Sequence, residues 1–171
     1  MPPFFVKANR RSKIGDHMNR RYPERPYAGV GAIIFRGTEV LLVKRGRPPA
    51  LGKWSIPGGL VELGESLEAS VRREVLEEVG LEVKVIDLVA ALDRVIFDQD
   101  GRIEYHYILL DFLCEVLAGR LNAGTDADQC RFVPIQELCG YDMTRGTQEV
   151  IERASEKAGN LGLPVYRATT L

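Results

Sequence analysis

The chain has 171 residues, 45% of them hydrophobic, enough for one well-filled core and too few for two ordinary domains. Its 23 basic and 24 acidic residues leave a formal net charge of -1, so no global field favours nucleic acid as a partner and every charge argument has to be local. Cys114, Cys130 and Cys139 lack metal-ligand spacing and read as reduced thiols; no apolar run approaches the roughly 18 residues of a membrane span, and the start lacks the apolar core of a secretory signal. A cytoplasmic protein with no membrane partner is expected.

Residues 1–21 read as a basic arm in which Lys7, Arg10, Arg11, Lys13, Arg20 and Arg21 stand against one acid, Asp16. Such an arm is a solvated leader or an electrostatic contact for RNA, a membrane surface or a partner subunit. Residues 22–160 carry the folded domain, and 161–171 form a tail. From Ala28, AGVGAIIFR and EVLLVKR are β-rich runs around Gly37 and Thr38, which predicts a hairpin. RGRPPALGKWSIPGG is too rich in Pro and Gly for either regular element and reads as a loop. A helix is expected from about Ser66 to Val79, with Ser66 as its cap and Gly80 as the left-handed residue that ends it. LEVKVIDLVAALDRV and IEYHYILLDFLCEV are strand candidates, the second apolar on both faces and so central in a sheet. Gln129 to Pro134 reads as a short strand and Thr147 to Ala158 as a second helix. Mixed strands with two helices predict an α/β sandwich with one helix on each face of the sheet.

The first helix poses a problem of charge. At about 100° per residue, Val71, Val75, Val79 and Leu76 gather on one side while Glu74, Glu77 and Glu78 gather on another. Like charges four apart and carboxylates near a helix carboxyl end together cost about 1 to 3 kcal/mol. Arg73, four residues from Glu77, offsets part of this. A hard divalent cation would offset the rest, because carboxylate oxygens suit Mg²⁺ or Mn²⁺ and a rigid acidic face leaves positions open for water and phosphate.

The wider spacing sets aside a merely solvated acidic face. From Gly59, five residues lead to Glu65 and seven more to Arg73, followed by Glu74, Val75, Leu76, Glu77, Glu78, Val79, Gly80 and Leu81. This resembles the Nudix box, G-x5-E-x7-R-E-U-x-E-E-x-G-U with U apolar. Every specified position is met, a chance on the order of one in a billion at ordinary residue frequencies. Trp54, Ser55, Ile56, Pro57 and Gly58 match the W-x-x-P-G lead-in common in that family.

The resemblance implies the Nudix-type α/β/α sandwich with a mixed β-sheet. It also implies Mg²⁺- or Mn²⁺-dependent hydrolysis of a nucleoside diphosphate linked to another group. Carried over by position, Glu74, Glu77 and Glu78 are the expected metal ligands, joined by the Gly58 carbonyl, and Arg73 orients the glutamates. The general base is either Glu77 or an acid of a later loop, with Asp126 ranked ahead of Asp128. Glu65 is expected to bond loop amides or to support the metal from outside. Lys44, Arg45 and Arg47, at the end of the second strand, are candidate phosphate contacts. Trp54 and His106 read as packed residues before they read as catalytic ones, and Tyr22 and Tyr27 stay open as pocket candidates.

Substrate stays open between ADP-ribose or a related nucleotide sugar and a modified nucleoside triphosphate cleaved to pyrophosphate. The proline that often marks the ADP-ribose group is absent, because Ile96 stands fifteen residues beyond Leu81. A non-catalytic nucleotide- or RNA-binding module is the reading of another class, and the persistence of all three glutamates speaks against it. A homodimer is compatible with the resemblance.

Overall fold

The computed structural model describes residues 20–124 and 127–160. In chain order its strands are β1 (Tyr27–Arg36), β2 (Glu39–Arg45), β3 (Trp54–Ser55) and β4 (Gly58–Leu60), then β5 (Leu81–Phe97), β6 (Ile103–Gly119) and β7 (Ala127–Pro134). Helix α1 (Leu67–Val79) lies between β4 and β5, and α2 (Thr147–Asn160) follows a 3₁₀ turn at Ile135–Gly140.

The expected hairpin forms across Gly37, whose φ of 61° suits the turn. β1 and β2 pair only at Phe35 with Val40 and Arg36 with Glu39, and then diverge. β1 goes on to pair in parallel with β6 from Tyr27 to Ile34 and antiparallel with β4 at Gly29, Val30 and Gly31. β2 is flanked by β3 and β7. β5 pairs along β6, so the strand that is apolar on both faces sits between β1 and β5, as its pattern predicts. The sheet is therefore mixed. The Pro- and Gly-rich stretch is not entirely loop, since two short strands, β3 and β4, form within it. Their register comes from backbone pairing with β2 and β1, which composition does not report.

Strand alternation divides the core in two. Val30, Ala32, Ile34, Phe112 and Cys114 pack under α1 with Val71, Val75 and Val79. Ile33, Phe35, Leu42, Trp54, Ile56 and Leu113 pack under α2 with Val150, Ile151 and Ala154. This is the sandwich that the sequence predicts. One detail differs: Leu76, expected with the valines, is 51% exposed. The packed stripe is the narrow i, i+4, i+8 row of Val71, Val75 and Val79, and Leu76 lies a 100° step away from it.

Helix α1 begins and ends as its caps dictate. Ser66 accepts from Ala69 N at 3.2 Å, and Gly80 adopts φ 72° while its N–H donates to Leu76 O. Beyond the cap, Asn122 N donates to Val79 O at 3.0 Å and Gly124 N to Glu78 O at 2.7 Å. These bonds satisfy carbonyls at the negative end of the dipole, the end at which the glutamates stand. At the other end of the molecule, Arg21 pairs with Glu104 and Tyr22 N donates to Glu104 O, tying the start of the described chain to β6. Among the described residues no helix is long and apolar enough to cross a membrane.

Candidate active site

The site is built where α1 crosses β4. Arg73 is its organiser, 20% exposed. Its Nε and Nη2 each donate to the Glu65 carboxylate at 2.8 Å, and Nη2 also reaches Leu60 O at 2.9 Å. Its Nη1 bonds Glu74 and lies 3.5 Å from Glu77. One guanidinium thus ties the loop before the helix, the β4 backbone and the acidic face together. Burial pulls the Arg73 pKa down, but the bonds to Glu65 and Glu74 outweigh it and the net shift is upward. The same bond to Arg73 holds Glu65 below its ordinary value, against partial burial.

The glutamates occupy different surroundings. Glu74 is 12% exposed and fills the space above Gly59, where a Cβ would stand 2.4 Å from its carboxyl carbon. Glu78 accepts from Gly58 N at 2.9 Å. Glu77 is the most open of the three for which an ion pair with Arg73 or a β4 contact defines the place, at 39% side-chain exposure. Gly58, at φ 157°, leaves a Cβ no room, since one would lie 2.1 Å from Val30 O.

For a divalent cation the donor set fits in kind, with the Glu74, Glu77 and Glu78 carboxylates and the Gly58 carbonyl all being hard oxygen donors. The gap above Gly59 that admits the Glu74 carboxylate fits as well. Among the described residues, no three His, Cys, Asp or Glu side chains already converge as a ligand set. In this arrangement Glu74 is committed to Arg73 and Glu78 to a backbone amide.

The remaining sequence candidates fall differently. Asp126 lies outside the described residues, and Asp128 belongs to β7, not to the loop before it. Lys44 and Arg45 end β2, where Lys44 registers with Trp54 and Gln129. The Arg45 Nε is buried with no hydrogen-bond partner among the described residues; burial lowers the pKa of Arg94 and raises that of Tyr107, and the Arg45 charge adds a smaller downward pull on both. Arg47 follows on the exposed loop. Trp54 is core, edge-on to Tyr141 at 5.4 Å and beneath Arg131. His106 lies within β6 opposite Val95. Tyr27 stands 6.4 Å from Tyr107, while the Tyr22 hydroxyl bonds Asp98 between the Arg21 and Arg102 guanidiniums.

One group escaped the sequence reading. Asp111 is 7% exposed in β6, facing Arg94 of β5. Burial pushes its carboxyl up to about 6, against the pull of Arg94. An acid inside a run that is otherwise apolar on both faces was the available signal, since carboxylates are almost never buried without a partner.

A mixed sheet between two helices, with an arginine-braced glutamate face laid against a double-glycine strand, defines the Nudix class of α/β/α proteins. The chain belongs to the NUDIX family: the family model described as NUDIX domain matches residues 25–154. It is 37% identical over 113 residues to the ADP-ribose pyrophosphatase of Methanocaldococcus jannaschii, a match covering 66% of this chain and 64% of that protein. It is 33% identical over 100 residues to the 8-oxo-dGDP phosphatase NUDT18 of Danio rerio, covering 58% of this chain and 28% of that one. The chain thus spans less than two thirds of the length of these relatives. Among solved structures, the MutT NUDIX hydrolase of Burkholderia pseudomallei superposes with a TM-score of 0.68 at 29% identity, over 76% of this chain and 98% of that one.

Proposed function

We propose that the protein hydrolyses the diphosphate linkage of a nucleoside diphosphate joined to a second group, with ADP-ribose or a related nucleotide sugar as the substrate class. The observation that carries this reading is the Arg73 brace, which holds Glu65, Glu74 and the β4 backbone in one unit beside Glu77 and Glu78. The name of the Methanocaldococcus jannaschii relative supports the substrate class.

Mg²⁺ or Mn²⁺, held by Glu74, Glu77, Glu78 and the Gly58 carbonyl, would neutralise phosphate oxygens and lower the pKa of attacking water. The chain's own residues do the rest. Arg73 holds Glu74 over Gly59, and Glu78 is anchored on the Gly58 amide, so both carboxylates are positioned before substrate arrives. Glu77, the more open carboxylate, takes the proton of the attacking water, with Asp126 as the alternative base. Arg45, Arg47 and Lys44, at and beyond the end of β2, contribute positive charge for the phosphates.

A second reading, release of pyrophosphate from a modified nucleoside triphosphate, is favoured by the similarity to the putative 8-oxo-dGTP diphosphatase 2 of Mycobacterium tuberculosis, 51% identical over 55 residues that make up 32% of this chain. Hydrolysis of ADP-ribose, nucleotide sugars and normal and oxidised nucleoside triphosphates in Mg²⁺, with products resolved by chromatography, separates the two. AMP from ADP-ribose supports the proposal. Pyrophosphate from a triphosphate moves the assignment to the second reading, and folded protein inactive on every compound overturns both.

A further inference from the structure

The last carbonyls of a helix have no partner within it, and at the end of α1 they belong to Leu76, Glu77, Glu78 and Val79. Gly80 N donates to Leu76 O, which with its left-handed φ is enough to end the helix. Two further donors come from the chain beyond β6. Asn122 N donates to Val79 O at 3.0 Å, and Gly124 N to Glu78 O at 2.7 Å.

The second of these bonds falls on the peptide that joins two of the three glutamates. A Cβ on Gly124 would stand 2.0 Å from Glu77 O, 3.1 Å from Glu77 C and 3.2 Å from Glu78 Cα. Gly124 lies outside the left-handed region, so the position requires room. Its neighbours repeat the pattern: a Cβ on Gly119 would meet Gly80 O at 2.4 Å, and one on Gly80 would meet Arg120 O at 2.8 Å. Backbone is laid directly on backbone along this end of the helix. Glu78 is consequently held twice, by Gly124 N on its carbonyl and by Gly58 N on its carboxylate at 2.9 Å. Glu77 has the more open side chain, 3.5 Å from Arg73, so its place follows that of the gripped peptide. Three peptide links beyond Gly124, Ala127 pairs with Arg45. Trans peptides keep those two Cα atoms within about 11 Å, so the same stretch ties the acidic turn to the cationic end of β2.

Resting on the hydrolase reading above, we propose that Gly124 is a positioning residue for the metal site: its N–H and its lack of a side chain fix the Glu77–Glu78 peptide, which sets where both carboxylates meet a divalent cation. An ordinary helix cap contributes to stability alone. A positioning clamp also sets the affinity for the cation, because supports behind metal ligands are typically worth about 10- to 100-fold in affinity or activity.

The test compares wild type, Gly124→Ala and, as a control, Gly140→Ala, where a Cβ meets nothing within 4 Å. Mn²⁺ binding is read by calorimetry without substrate, kcat and KM with ADP-ribose in saturating Mg²⁺, and stability by urea unfolding. Gly124→Ala is expected to weaken Mn²⁺ binding about tenfold or more and to lower kcat by a similar factor, with KM within about threefold. Gly140→Ala should match wild type. A Gly124→Ala protein that is less stable in urea but keeps wild-type Mn²⁺ affinity and kcat reduces the contact to a cap and overturns the proposal. If Gly124→Ala does not fold, amide hydrogen exchange of wild type decides. Slower exchange of the Asn122 and Gly124 N–H groups in Mg²⁺, with the Gly101 N–H at the far end of the sheet unchanged, supports the clamp; no slowing overturns it. Wild type that binds Mn²⁺ and hydrolyses nothing defeats the hydrolase reading, and the Mn²⁺ affinity of the variant still decides the clamp. Wild type without affinity for Mn²⁺ overturns it.

Discussion

Gly59 and Glu74 share a space that admits only one of them with a side chain: a Cβ on Gly59 would lie 2.4 Å from the Glu74 carboxyl carbon and from its Oε2. The backbone of Gly59 is not in the left-handed region, so the requirement is for room. Gly59→Ala is therefore expected to fold, to lose no more than about 1 to 3 kcal/mol from overpacking, and to lose at least about 100-fold in kcat by displacing the carboxylate. Kinetics and urea unfolding on the same sample check this. A variant with wild-type kcat would show that Glu74 does not act from this position.

Arg73 and Glu65 supply the second test. Arg73→Met removes the guanidinium that donates to Glu65, Glu74 and Leu60 O and is expected to cost about 2 to 4 kcal/mol in urea unfolding. Arg73→Lys keeps the charge without the fork and falls between. The Glu65 carboxyl is held below its ordinary 4.5, so its contribution is present above that pH and is lost as the pH falls through the depressed folded value. Wild type should accordingly lose stability faster than Arg73→Met as acid is added below pH 4.5. Parallel curves would remove the ion pair from the account of stability.

These two relationships differ in how legible they were in the sequence. The caps of α1, the hairpin and the central place of β6 follow from local pattern, because cap residues, turn residues and two-sided apolarity act within a few residues of chain. The glutamate face was equally plain, since its spacing is a property of one helix. That Gly59 makes room for Glu74 depends on β4 pairing with β1 beneath the helix, and no local signal reports that pairing. Asp111 was passed over for the same reason: an acid in an apolar run acquires meaning only when Gly31, Arg94 and the Thr144 turn are brought around it. That the Arg45 charge is felt at Arg94 and Tyr107 likewise depends on strands far apart in sequence.

Neutralising the acidic face separates metal binding from folding. Glu77→Gln and Glu77→Gln/Glu78→Gln are expected to fold as well as wild type or slightly better without metal, since each relieved like-charge pair is worth about 0.2 to 0.5 kcal/mol. Glutamine at position 78 retains an oxygen for the Gly58 N–H, which protects the local geometry. Mg²⁺ should raise the melting temperature of wild type and leave the double variant unmoved, with hydrolysis abolished in both variants. An equal Mg²⁺ shift in the double variant would place the cation elsewhere.

Asp111 makes the sharpest prediction about pH. Its carboxyl rises from 3.8 to about 6 because burial disfavours the charge, and Arg94 only partly offsets this. A raised folded value means that the native state holds a proton the unfolded chain has released, so stability is full below pH 3.8 and is lost as the pH rises toward 6. At about 1.36 kcal/mol per pH unit, the ionised group costs up to about 3 kcal/mol above that window. Asp111→Asn is free of this cost. It should match wild type near pH 3.5 and exceed it by an amount that grows through pH 4 to 6 and then levels off. Urea unfolding of both proteins at matched pH values reads the difference directly, and groups common to both cancel. A constant difference across that range would mean that Asp111 ionises in the fold as easily as in the open chain, and that its burial in β6 does not disfavour its charge.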